Sequence, residues 1–173
     1  TFMAQTLAHS SKPGNLQPII ILVEPQMGQN IGMCARAMLN CGLDRLRLVN
    51  PREGWPNESA IATAADADSV LEKVEVFDSL EAALGDCQRV IATTARERSL
   101  SLPVLPASEA AKEVAVGAAG GERVAVLFGP EASGLDNDCL SRADTLMRFP
   151  TNPAFSSLNL AQAVLLFGWE WRG

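Results

Sequence analysis

The chain has 173 residues, 47% of them hydrophobic, with 14 Lys and Arg against 20 Asp and Glu for a formal net charge of −6. This is the balance of an ordinary globular protein able to bury a core without staples, and no apolar run approaches the ~18 residues of a membrane span. Residues 1–17 read as a flexible tail without the basic start and apolar centre of a signal peptide, and 18–173 as one domain.

Cys34, Cys41, Cys87 and Cys139 are scattered with no C-x-x-C pair, which suits reduced cysteines in a cytoplasmic protein. The single His, His9, lies in the tail and argues against a His-based triad or a metal site.

In chain order, "PIIILV" (Pro18–Val23) is a continuous apolar run suited to a strand buried on both faces. A polar loop, "EPQMGQN", leads to a helix whose apolar residues Ile31, Cys34, Ala35, Met38 and Leu39 fall at helical spacing, with Gly42 placed as a C-terminal cap. "RLRLV" (Arg45–Val49) alternates as a strand, "ESAIATAADADSVLEK" is helical in composition, and "VEVF" (Val74–Phe77) is another alternating strand. Asp78 and Glu81 stand at capping-box spacing before a short helix closed by Gly85.

"RVIATT" (Arg89–Thr94) is a buried strand, and Ser108 is the expected N-cap of a helix over Ser108–Ala115. "RVAVLF" (Arg123–Phe128) is a strand, followed by the loop "GPEASGLDND" and a short helix around Cys139. "TLMRFP" is the last strand and Leu158–Trp171 the last helix, apolar on nearly every face and therefore expected to be buried. Such alternation predicts an α/β fold, with a mostly parallel sheet flanked by helices on both faces. Ligands bind such sheets at the carboxyl ends of the strands.

Three loops after strands are rich in polar or special residues. In "GQNIGMCAR" Asn30 and Gly32 open a helix, and Arg36 lies one turn beyond; a helix start draws anions, and an Arg can join it. In "LFGPEASG" Gly129 permits close backbone approach or positive φ, and Glu131 is either functional or a solvated loop acid. In "PTNPAFSSLNLAQA" Pro153 disfavours helix at Asn152, Ser156 or Ser157 can cap the last helix, and Asn159 is a poor helix-interior residue.

Charge is uneven. Glu58–Asp86 holds eight acids and one Lys, a net of −7, so the remainder is near neutral. The whole chain's eleven Arg against three Lys suit bidentate phosphate contacts, or are simply scattered solubilising charge. Arg36, Arg45, Arg47, Arg52, Arg96 and Arg98 follow predicted strands or lie near their ends.

In this order and spacing, N-x-G-x-x-x-R, F-G-P-E-x-x-G and N-P-x-x-S-S-L-N resemble the three motifs of the SpoU-like branch of the SPOUT RNA methyltransferases. "TTARER" (Thr93–Arg98) stands where that branch has a T-[ST]-A-R segment. The match runs from Ile19 to Trp171 and looks closest to the enzymes that methylate the ribose of nucleotide 32 in the tRNA anticodon loop. Relatives in that subgroup continue past the position matching Gly173.

The resemblance implies a C-terminal deep trefoil knot that binds S-adenosyl-L-methionine through Thr93, Thr94, Ala95, Gly129, Phe149, Ser156, Ser157 and Leu158. It implies Arg36 at the reacting 2′-hydroxyl, either as proton acceptor in a relay or as phosphate clamp, with Asn30, Glu131, Ser157 and Asn159 in support. It also implies RNA, most directly tRNA, as partner and a homodimer through the C-terminal helix, without metal. The alternatives are a ribosomal RNA 2′-O-methyltransferase and a non-catalytic RNA-binding relative.

Overall fold

Residues 16–94 and 101–173 are described by this structure, a computed structural model. β1 (Ile19–Val23) is buried along its whole length. Ile20 and Leu22 enter one core cluster and Ile19, Ile21 and Val23 another, so the strand is covered on both faces. β2 (Leu46–Val49) and β3 (Glu75–Phe77) extend the sheet on one side. β6 (Val124–Phe128), β4 (Arg89–Thr93), β7 (Thr145–Arg148) and β5 (Val104–Pro106) extend it on the other. The order is β3-β2-β1-β6-β4-β7-β5, every pairing parallel.

One face carries α1 (Gly28–Asn40), α2 (Glu58–Thr63), α3 (Asp68–Glu72), α5 (Ala107–Ala119) and α7 (Leu160–Arg172). The short α4 (Leu80–Ala83) and α6 (Asn137–Ser141) cover the other. α1 packs between α2 and α7, and α7 also meets α5.

At the end of α1 the Leu43 amide donates to the Met38 carbonyl (2.9 Å) and the Gly42 amide to Leu39 (3.1 Å), a Schellman closure. Gly42 has φ +79, so the expected glycine cap is realised. No helix among the described residues is long and apolar enough to cross a membrane.

Several local expectations are corrected. Alternation in "RLRLV" implies an outward face, yet Arg47 is only 4% exposed. Its guanidinium meets Asp86 through two bonds (2.7 and 2.8 Å), Glu75 (3.2 Å) and the Ala83 carbonyl (2.8 Å), which makes its burial tolerable. The single helix expected over Glu58–Lys73 is two, broken where Ala65 takes φ +55. Ser79, not Asp78, caps α4 by accepting the Ala82 amide at 3.1 Å. α5 begins before Ser108, with Pro106 at its N-cap position.

The C-terminal helix has Asn159 as its N-cap in place of Ser156 or Ser157. Asn159 accepts the Ala161 amide at 2.9 Å, and Gln162 accepts the Asn159 amide at 3.0 Å. Asn159 therefore lies outside the helix interior, where its propensity is no handicap. α7 is also not buried all round: Val164, Phe167 and Gly168 face the core, but Leu165, Leu166 and Trp169 are exposed.

Candidate functional site

α1 starts without a side-chain N-cap: Met27, at that position, offers no cap bond. Donors at and just before this start are met from elsewhere in the chain. Glu131, in the loop after β6, accepts the Gln26 amide at 2.7 Å, the Met27 amide at 3.1 Å and the Asn30 side-chain amide at 2.7 Å. Gln26 returns a bond by accepting the Ala132 amide at 3.1 Å. Glu53, in the loop after β2, accepts the Gly28 amide at 2.7 Å. Negative charge at a helix start is favourable. These two carboxylates hold α1 from both sides, so the expected opening for an external anion is filled by the protein's own acids.

Asn30 and Glu131, both candidates from sequence, are thus joined directly. Asn30 is buried, and its side chain ties the helix to the β6 loop. Since β1 and β6 are neighbours and strand order reverses around them, this brace crosses the crevice that open α/β sheets use for ligands.

Arg36 lies on the exposed face of α1 and makes no ion pair with a described residue. It is eight residues past Gly28, ~12 Å along the helix at 1.5 Å per residue. That is more than two turns in, not one.

The other candidates gather along β6, β4 and β7. Ala92 pairs Leu127 and Thr93 pairs Met147, so the ends leading to Thr94, Gly129 and Phe149 lie side by side. The Thr93 hydroxyl donates to the Leu127 carbonyl at 2.9 Å, and the Thr94 amide to Met147 at 2.9 Å. Phe149 is half-buried against the core. Ala95, with Arg96 and Arg98, lies outside the described residues.

A methyl group at Gly129 would run into the Leu135 amide and stand 2.5 Å from the Gly134 carbonyl carbon. Glycine is needed there for its own loop to fold back, so the close approach predicted for a ligand is made first by the chain itself.

Between β7 and α7 the chain makes tight turns. The Thr151 amide donates to the Phe149 carbonyl (2.8 Å), the Ala154 amide to the Asn152 side chain (3.0 Å), and the Thr151 hydroxyl to the Ser156 carbonyl (3.1 Å). Ser156 and Ser157 are exposed and Leu158 half-buried. The amides of these three residues find no acceptor among the described residues. No hydrogen bond or ion pair among the described residues joins this loop to Arg36 or Glu131, so Ser157 and Asn159 are not bonded to the Asn30–Glu131 pair.

The arginines divide by position. Arg47, Arg89 and Arg123 are each paired with acids. Arg52, after β2, and Arg148, at the carboxyl end of β7, are exposed and form no ion pair with described residues. Arg47 is thereby withdrawn from the phosphate-gripping candidates.

Sequence reasoning missed Gln26 and Glu53, whose roles depend on which loops the sheet brings together. It also missed Phe155, 77% exposed in a loop of turn residues, where its polar surroundings were the available signal.

The family described as the SpoU rRNA Methylase family matches residues 17–169. A tRNA (cytidine/uridine-2′-O-)-methyltransferase TrmJ from Photorhabdus laumondii is 44% identical over 88% of this chain and 63% of its own length. A tRNA (cytidine/uridine/adenosine-2′-O-)-methyltransferase TrmJ from Pseudomonas aeruginosa is 40% identical over 88% of this chain and 59% of its own. Among solved structures, TrmJ from Z. mobilis superimposes with a TM-score of 0.87 at 51% identity, covering 91% of this chain and 69% of that one. The chain spans 59–63% of the length of these two curated relatives.

Proposed function

The chain belongs to the SpoU rRNA Methylase family, and from that premise we propose that residues 18–173 form a methyltransferase domain that transfers a methyl group from S-adenosyl-L-methionine to a ribose 2′-hydroxyl of tRNA. We place the target in the anticodon loop, at nucleotide 32. The observation that carries this reading is the meeting of two motif segments: Asn30, on the helix that bears Arg36, donates to Glu131 from a motif 101 residues away.

The cofactor would be held by Thr93, Thr94, Gly129, Phe149, Ser156, Ser157 and Leu158, with Ala95 completing the set. These residues fit such a group. Phe149 and Leu158 offer half-buried apolar surface, and the amides of 156–158, with no acceptor among the described residues, can bind polar atoms. When bound, S-adenosyl-L-methionine supplies a methyl group on a sulfonium, already a good electrophile.

The protein's part is then alignment. A guanidinium only donates and stays protonated, so Arg36 clamps an RNA phosphate and orients the 2′-hydroxyl, whose proton leaves to water. Glu131 and Asn30 hold the helix that carries Arg36, while Asn159 and Ser157 shape the loop before α7.

The trefoil knot belongs to the same proposal. In its support, β7 lies between β4 and β5 although both precede it, so the β4–β5 connection spans a strand added later. A second copy of the chain covers Leu165, Leu166 and Trp169 on α7. This apolar face lies on the helix packed against α1.

The test combines binding, transfer and mass. S-adenosylhomocysteine should bind, and labelled methyl should appear on the tRNA ribose. Arg36→Lys should lose about 100-fold in rate, since Lys lacks the planar fork. Leu166→Glu with Trp169→Glu should convert a dimer to a monomer in light scattering. Methyl incorporation into ribosomal RNA alone would overturn the tRNA assignment, and no S-adenosylhomocysteine binding would overturn the enzyme.

A further inference from the structure

We infer that Glu53 is a positioning residue for the methyl transfer, acting through α1 on Arg36; the inference rests on the role proposed for Arg36. Glu53 is an exposed loop acid, the kind that ordinarily only solvates a surface. Its carboxylate instead turns back to accept the Gly28 amide at 2.7 Å, the first residue of α1. The surrounding backbone is shaped to bring it there: Asn50 takes φ +45 and Gly54 φ +80. The Arg52 amide fastens the same loop to the Pro25 carbonyl at 3.0 Å.

The grip continues beyond one bond. A methyl group on Gly28 would run into the Asn57 side chain, so the α1 backbone lies directly against this loop. Asn57 caps α2 by accepting the Ala60 amide at 3.0 Å, and the Thr63 hydroxyl of α2 donates to the Gln29 carbonyl at 2.8 Å. The β2–α2 connection therefore holds one side of the first turn of α1, and Glu131 holds the other. Met27 supplies no cap of its own.

A helix moves as a rod. Release of one of two opposed clamps at its start is felt at Arg36, ~12 Å along. A misplacement of ~1 Å in an aligned reaction costs about 100-fold in rate. No hydrogen bond or ion pair joins Glu53 to Arg36 or to the described residues proposed for the cofactor, so its effect falls on turnover and spares cofactor binding.

The test uses the 173-residue chain with Glu53→Ala and Glu53→Gln. Methyl transfer to tRNA is measured as kcat and KM at a temperature where circular dichroism shows all proteins folded, with S-adenosylhomocysteine binding measured in parallel. Glu53→Ala should lower kcat about tenfold or more while the S-adenosylhomocysteine Kd stays within about twofold. Glu53→Gln keeps an acceptor oxygen and should recover most of kcat. An unchanged kcat in Glu53→Ala, or a Glu53→Gln as impaired as the Ala variant, overturns the inference.

If the unmutated chain transfers no methyl group, the functional reading fails separately, and the brace is then read by amide hydrogen exchange. Faster exchange across Gly28–Arg36 in Glu53→Ala upholds the coupling; an unchanged pattern overturns it.

Discussion

Replacing Glu131 with Ala removes the acceptor of three donors at the start of α1: the Gln26 amide at 2.7 Å, the Asn30 side chain at 2.7 Å and the Met27 amide at 3.1 Å. Bonds to a charged acceptor are worth about 1.5–3 kcal/mol each when shielded. The first two are partly buried and the third is exposed, where water replaces it at little cost. Two bonds at the low end of that range give a loss of about 3 kcal/mol. Part of the lost favourable interaction with the helix start is already contained in that figure.

For a chain of this size, such a loss lowers the melting temperature by about 6–12 °C. Glu131→Gln should lose about half as much, because its single oxygen cannot serve all three donors and its NH2 group faces amide donors. Urea unfolding followed by circular dichroism at pH 7 measures both. A Glu131→Ala stability within about 0.5 kcal/mol of the unmutated chain would refute the brace, since surface substitutions fall in that range.

Asp86 offers a pH-dependent case. Hydrogen bonding from Arg47 in particular holds its carboxyl well below the usual carboxylate range. The resulting stability is full above about pH 3.9, the unfolded value, and is lost as pH falls from there through the folded value. Asp86→Asn should cost about 2 kcal/mol at pH 7, less than a fully buried pair because Asp86 is partly exposed, and the gap should narrow below about pH 4. A gap that stays constant into acid, in unfolding measured across that range, would contradict the assignment. Gly32→Ala should destabilise by about 1–3 kcal/mol despite Ala's better helix propensity, because the new methyl meets the α2 backbone. That contact is with the Ala60 carbonyl and, at 2.9 Å, the Ala64 amide. A more stable Gly32→Ala in thermal unfolding would show that α2 yields.

The major strands were legible because burial writes itself locally: a run such as Ile19–Val23 has few other places to go. The glycine closure at Gly42 was legible for a similar reason, since the signal sits within one turn. β5 was not. Val104–Pro106 is too short to carry a period and is a strand by virtue of pairing with β7. Capping residues were misassigned by one to three positions, at Ser79 and Asn159, because neighbouring polar residues compete for the same amides and packing chooses between them.

The site shows the same division. From sequence alone came the alternation of strands and helices, the motif residues, and the membership those motifs imply. Tertiary structure alone decided that Arg47 is spent internally, that Glu131 meets Asn30, and that Glu53 closes the other side of α1. Residue preference and hydrophobic period act over a few positions. A carboxylate finds an amide 101 residues away only after the sheet has set β6 beside β1.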